Sequence, residues 1–213
     1  MGRRALRKPD PSLDLSWHLR TVESLPGECT SETLFDNQAP LEIEVGSGKG
    51  LFMATASAEH PERNFLGIEV AGKYARFAAA KLAREKRPNA IMAHGDALKV
   101  FRELVPRASL AAVHVYFPDP WWKARHRKRR VMNESFLRDV QRTLIPGGKL
   151  HFWTDVQEYF ESALELIAEF PRLGGPLPVA EKPAEHDLDY RTHFERRMRK
   201  HGESVFRSEF RLT

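Results

Sequence analysis

The chain has 213 residues, enough for one domain with a sizeable core. Its formal charge is +5, yet 30% of its residues are charged with both signs intermixed, so the question becomes where the cations gather. A lone cysteine, Cys29, excludes an internal disulfide and fits a reducing compartment, and no apolar stretch approaches the ~18 residues of a membrane helix.

Residues 1–36 contain Pro9, Pro11, Pro26 and Gly27, which break any long periodicity, and their basic start is followed by no apolar segment. The expectation is an N-terminal arm lying on a domain that spans 37–213, without a secretory signal, in a cytoplasmic protein. Leu6 stands where myristoylation would need Ser or Thr. From residue 41 strand and helix patterns alternate. Strands are predicted at 41–46, 64–69, 90–93, 111–117 and 149–154, and helices at 50–58, 71–86, just after 97, at 134–144 and at 157–169. Tyr74, Phe77, Ala78 and Leu82 mark the apolar face of the second helix, and Pro146-Gly147-Gly148 stops the helix that begins at 134. Residues 171–187, rich in proline and glycine, read as a loop with room for a short strand, and 205–212 alternates like a closing strand. Five strand–helix repeats imply an α/β, doubly wound, mostly parallel sheet of about seven strands.

The most informative stretch is Leu41 to Gly50, LEIEVGSGKG. A β-branched run ends in Gly46, Gly48 and Gly50, and helix formers follow, so backbone there can approach a ligand closely. It is not a P-loop, because Ile43 and Gly50 occupy the positions of the required Gly and Ser/Thr. Nor is it a dinucleotide fingerprint, because Leu51 replaces the last glycine. Glu44 within the strand and Glu69 after the next one frame the turn. Asp96, Asp119 and Asp155 follow the later strands, so all five acids are expected at one sheet edge, where ligands bind in such folds. Any one of them alone reads as a helix cap or a surface residue.

The fourth of these strands runs into Phe117-Pro118-Asp119-Pro120-Trp121-Trp122, and six of the eight residues 123–130 are Lys or Arg. A solvated or targeting run is the plain reading. Its place beside a stiff loop at the expected pocket mouth favours a phosphate-binding strip, with aromatic faces for a base. Cys29, His114 and His126 show no metal-ligand spacing and no pairing with a nucleophile.

Glu44-x-Gly-x-Gly-x-Gly with Glu69 about 20 residues on resembles the S-adenosylmethionine pocket of Rossmann-like class I methyltransferases. Together with Gly67-Ile68-Glu69, Asp96-Ala97, FPDPWWKARHRKRR, Thr154-Asp155 and Tyr190-Arg191-Thr192-His193-Phe194-Glu195, it resembles the tRNA (guanine-N7)-methyltransferase family, over about residues 40–213. The resemblance implies transfer of a methyl group from S-adenosylmethionine to N7 of a tRNA guanine, at position 46 of the variable loop. It also implies that Glu44, Gly46, Glu69, Asp96 and Asp119 line the cofactor site, with Asp119 the catalytic candidate. Lys123, Asp155, Thr192, His193, Phe194 and Glu195 are then expected at the substrate, and Arg125, His126, Arg127, Lys128, Arg129 and Arg130 at the RNA. Trp122, Ala124 and Val156-Gln157 depart from the family's usual residues. The resemblance implies tRNA as partner, with neither membrane nor metal, in a monomer or homodimer. Two rivals are a Rossmann-type oxidoreductase, which the glycine pattern and arginine strip disfavour, and a catalytically silent RNA-binding protein, which the full set of strand-end acids disfavours.

Overall fold

A computed structural model describes residues 6, 9–181, 183 and 190–213. Its first elements are β1 (Leu19–Thr21) and a one-turn helix, α1 (Ser31–Phe35), in the N-terminal arm. The central β2 (Leu41–Val45) leads through the glycine turn into α2 (Leu51–Glu59), followed by β3 (Asn64–Glu69), α3 (Gly72–Arg84) and β4 (Ala90–His94). Next come α4 (Ala97–Glu103), β5 (Leu110–Tyr116), α5 (Glu134–Thr143), β6 (Leu144–Thr154) and α6 (Gln157–Ala168). The chain ends with β7 (Leu173–Pro178), α7 (His193–Lys200) and β8 (Phe206–Leu212).

Among the described residues eight strands form one sheet, in the order β1-β4-β3-β2-β5-β6-β8-β7. Pairing is parallel from β1 through β6, while β8 runs antiparallel to both β6 and β7. The sheet therefore has one strand more than expected. The addition is β1, whose three residues pair with Met92–His94 of β4 and bind the arm to the domain edge. Between two prolines, three residues carry too little pattern to be recognised as a strand. At the other side, β6 starts earlier than expected because Leu144 already pairs with Leu110. The register then shifts, and Pro146-Gly147-Gly148 bulges out before Lys149 meets Ala112.

Side chains alternate across the strands, and both faces are covered. Ile43, Val45, Leu66, Ile68, Val113, Val115, Leu150 and Phe152 join Phe101, Phe136, Leu137 and Tyr159 in the larger core, beneath α4, α5 and α6. On the opposite face Phe65, Met92, Tyr116 and Trp153 pack with Phe52, Met53, Ala78, Ala79 and Leu82 beneath α2 and α3. The buried face of α3 is turned slightly from the expected one: Ala75, Ala78, Ala79 and Leu82 are buried, and Tyr74 and Phe77 are half-buried. Gly50 explains the small residues. A Cβ built on it would lie 2.6 Å from the Ala78 Cβ, so the helix pair meets at a spacing only Gly and Ala permit. Among the described residues no helix is long and apolar enough to cross a membrane.

Candidate active site

The sheet reverses its winding between β2 and β5, because the chain builds outward from β2 in one direction and from β5 in the other. A crevice opens at the carboxyl ends of strands at such a point. Parallel pairing brings the ends of β2, β3, β4, β5 and β6 to that one edge, carrying Glu44, Glu69, Asp96, Asp119 and Asp155 with them.

The glycine turn is open on the ligand side. Gly46 and Gly48 hold positive φ of 77° and 53°, and a Cβ added at either would meet nothing within 4 Å. The turn is fixed from behind, with the N–H groups of Gly46 and Ser47 donating to the Ile68 carbonyl at 2.8 and 3.2 Å. Glu69 clamps it from the side: one carboxylate oxygen accepts from the Gly48 N–H at 2.8 Å and the other from the Ala71 N–H at 2.8 Å. Each oxygen keeps a further lone pair for a ligand hydroxyl. Val70, the next residue, is 74% exposed, an apolar platform that the sequence pattern did not single out.

Glu44 lies 3% exposed on the face opposite Ile43 and Val45, and its Oε2 has no hydrogen-bond partner. Burial pushes its pKa up to about 8, the Glu69 carboxylate adds to the rise, and the Ser47 hydroxyl opposes it. A buried acid with an orphan oxygen beside an open backbone cradle fits a ligand that carries positive charge. Asp96 is exposed and caps α4 through the Leu98 N–H at 2.9 Å. Asp155 is half-buried, following the fully buried Thr154.

The Phe117–Trp122 loop is held in an unusual shape. Phe117 and Trp121 are non-glycine residues at φ of 51° and 46°, a conformation that costs on the order of 1–3 kcal/mol and concentrates at functional sites. Asp119 sits exposed between them and accepts the Trp121 N–H at 2.9 Å. Lys123 and Trp122 face solvent, and residues 124–129 form an exposed 3-10 turn. Arg129 lies over the Trp121 ring at 5.0 Å and His126 meets its edge at 5.8 Å, while Arg125 donates to His126 at 3.3 Å. Arg127 is paired with Glu158 at 2.8 Å.

Arg130 differs from its neighbours. It is 7% exposed, donates through Nε to the Pro120 carbonyl at 2.8 Å and through Nη1 to Ser162 at 3.3 Å, and lies 4.5 Å from the Tyr159 ring centre. It faces inward and staples the loop to α6, so the outward strip ends at Arg129.

The N-terminus of α7 reaches the same edge. Phe194, 44% exposed, stacks on Phe117 at 5.8 Å and 21°. Thr192 caps the helix by accepting the Glu195 N–H at 3.0 Å. Glu195 is 3% exposed, accepting the Arg191 N–H at 2.7 Å and pairing with Arg207 at 3.1 Å and Arg199 at 3.4 Å. His193 is half-buried beside it. Tyr116 carried no separate signal in the sequence, and Arg191 entered only as part of the Tyr190–Glu195 motif. Cys29 is fully buried, and burial pushes its thiol up to about 12, leaving it inert. Among the described residues no group of His, Cys, Asp and Glu is arranged to hold a metal.

An open glycine turn at the winding reversal, flanked by strand-end carboxylates, defines a class I methyltransferase, the class whose methyl donor is S-adenosylmethionine. The crystal structure of the 16S rRNA methyltransferase KamB shares the fold with a TM-score of 0.60 at 17% identity, over 91% of this chain and 99% of that one. A protein-family profile described as "Putative methyltransferase" matches residues 38–208. A Rhodopirellula baltica protein named tRNA (guanine-N(7)-)-methyltransferase is 55% identical over 99% of this chain and 80% of its own length. One of the same name from Sodalis glossinidius is 37% identical over 95% and 84%. The chain belongs to the tRNA (guanine-N7)-methyltransferase family.

Proposed function

We propose that this enzyme acts in the cytoplasm on the guanine at position 46 of the tRNA variable loop, and that the residues at the strand-end edge divide into a cofactor side and a guanine side. The observation that carries the division is the orphaned, buried Glu44 carboxyl beside an open glycine turn, one strand away from the exposed Asp119 loop. When bound, S-adenosylmethionine supplies a methyl group on a positively charged sulfur. On the cofactor side Glu44 meets ligand positive charge, Glu69 offers its free lone pairs to hydroxyls, the Gly46 backbone lies against the ligand, and Asp96 closes the rim. Val70 offers an apolar surface beside Glu69.

Guanine N7 carries an in-plane lone pair and attacks without first losing a proton, so the chain supplies position and charge rather than a strong base. Asp119 presents its carboxylate where the methylated ring becomes positive. Lys123, Asp155 and the turn Thr192–Glu195 surround the base, with His193 and Phe194 at its entrance. In this arrangement Glu195 acts through its ion pairs, which fix the start of α7. Arg125, His126, Arg127, Lys128 and Arg129 face the phosphates, and Arg130 holds the loop that carries them. The target base leaves its stack to present N7 to this edge. The test is to methylate unmodified tRNA with labelled cofactor and map chain scission at 7-methylguanosine. Scission at position 46 is the expected result. Scission elsewhere, with position 46 untouched, overturns the assignment.

A further inference from the structure

Beneath the site lies a group of buried polar side chains that the chemistry above does not use. Glu42, on the same face of β2 as Glu44, is 5% exposed. One of its oxygens accepts from Arg63 at 2.6 Å and the other lies 2.7 Å from His114 Nε2. His114 Nδ1 lies 2.9 Å from the Tyr116 hydroxyl. The Arg191 guanidinium sits 6.0 Å from the Phe52 ring centre and 5.6 Å from that of Trp153, the two rings that pack on Tyr116.

The bond directions follow from the charge states of Glu42 and His114. Burial alone would raise the Glu42 carboxyl, but the hydrogen bonds from His114 and Arg63 and the Arg63 charge outweigh it and keep it ionised. A carboxylate only accepts, so His114 donates through Nε2. Burial keeps His114 below its ordinary value and hence neutral at pH 7, with His151 stacked on it at 4.8 Å and 6°. A neutral imidazole that donates at Nε2 accepts at Nδ1, so Tyr116 donates to it. The Tyr116 oxygen keeps its lone pairs to accept from a donor, and Arg191, packed on the neighbouring Phe52 and Trp153 rings, is the cation at hand.

We infer that Glu42, His114 and Tyr116 form a directed hydrogen-bond relay that orients Arg191, making Tyr116 a positioning residue for the guanine side. The backbone N–H of Arg191 is already held by Glu195. Fixing its side chain ties the first turn of α7, with Thr192 and Phe194, to the strand that ends beside Asp119. The proposal rests on the assignment of residues 192–195 to the guanine.

The relay also makes turnover sensitive to acid. Once protonated, His114 donates from both nitrogens and can no longer accept from Tyr116. The charged and titratable groups around it are Glu42, Arg63, Tyr116, His151 and Arg191.

The test compares wild type with Tyr116→Phe, which keeps the ring packed against Phe52 and Trp153, and with Thr192→Ala. Single-turnover rate, cofactor affinity, tRNA affinity and thermal midpoint are measured across pH 5.5–8. In Tyr116→Phe the rate at pH 7.5 should fall about tenfold, the equivalent of one buried hydrogen bond. Both affinities should stay within about twofold of wild type at each pH, and the rate at saturating cofactor should lose the acidic fall expected of wild type. An unchanged rate with an unchanged acidic fall overturns the relay. So does a parallel loss of thermal midpoint and cofactor affinity, which would mean a purely structural role. If Tyr116→Phe behaves as expected while Thr192→Ala keeps full activity, the relay stands and the guanine-side reading of residues 192–195 fails.

Discussion

Replacing Glu44 by Gln should turn a pH-dependent cofactor affinity into a nearly flat one. The free protein holds this carboxyl at a pKa of about 8, so at pH 7 about nine in ten molecules carry it protonated. Positive charge brought against its orphan oxygen calls for the carboxylate, and ionising it at pH 7 costs about 1.4 kcal/mol, or tenfold in affinity. Wild-type affinity should therefore rise about tenfold per pH unit below pH 8 and level off above it, with close to one proton released per complex at pH 7. The Gln variant loses a charged hydrogen bond worth about 1.5–3 kcal/mol but no longer needs the ionisation. It should bind at most about fifteenfold more weakly at pH 7, and about 10- to 150-fold more weakly above pH 8. The free protein adds a second signature. Because the folded pKa is raised, this group's contribution to stability is present below about pH 4.5 and declines as pH climbs through about 8. Calorimetric titration with S-adenosylmethionine in two buffers of different ionisation enthalpy reads the proton release. Ionisation of the ligand's own amino group is common to both proteins and cancels. Equal proton release by wild type and variant would refute the reasoning.

Glu69→Ala should weaken cofactor binding more than tRNA binding, and should also lower stability by about 1–3 kcal/mol, because the N–H groups of Gly48 and Ala71 lose their acceptor. Calorimetry and thermal melting check both. Arg125→Ala with Arg129→Ala should flatten the dependence of tRNA affinity on salt by up to about two units in the logarithmic slope, without changing cofactor affinity. Arg130→Ala should instead lower the thermal midpoint, since it removes the staple between Pro120 and α6. Gly50→Ala should be destabilising by about 1–3 kcal/mol, because the new Cβ would lie 2.6 Å from that of Ala78 in a left-handed backbone conformation. Denaturant unfolding measures it.

Much of the arrangement was legible because the parallel strands are written as apolar runs and each ends near an acid. Ile43 and Val45 mark β2, and the glycines after them mark the turn. What the letters could not show was direction. Arg130 closes a run of cations and looks like its neighbours, but the 3-10 turn ends one residue earlier and the side chain swings under the loop. Glu195 reads as a substrate acid, yet Arg207, twelve residues later on β8, turns it into a buried ion-pair hub. Glu42 and His114 lie 72 residues apart, and only the pairing of β2 with β5 brings their side chains together. β1 escaped notice because three residues carry no periodicity. Phe117 and Trp121 gave no hint of left-handed backbone, a strain imposed by the loop as a whole.

We propose that the strained loop after β5 places Asp119 against a guanine whose methyl donor lies one strand away. The most direct test is the single-turnover rate of methyl transfer to unmodified tRNA by Asp119→Ala, measured with saturating cofactor beside a tRNA-binding isotherm. The rate should fall about a hundredfold or more, the scale of a lost charge-stabilising group, with tRNA affinity within about twofold of wild type. A rate close to that of the wild-type enzyme, with tRNA bound equally well, would contradict it.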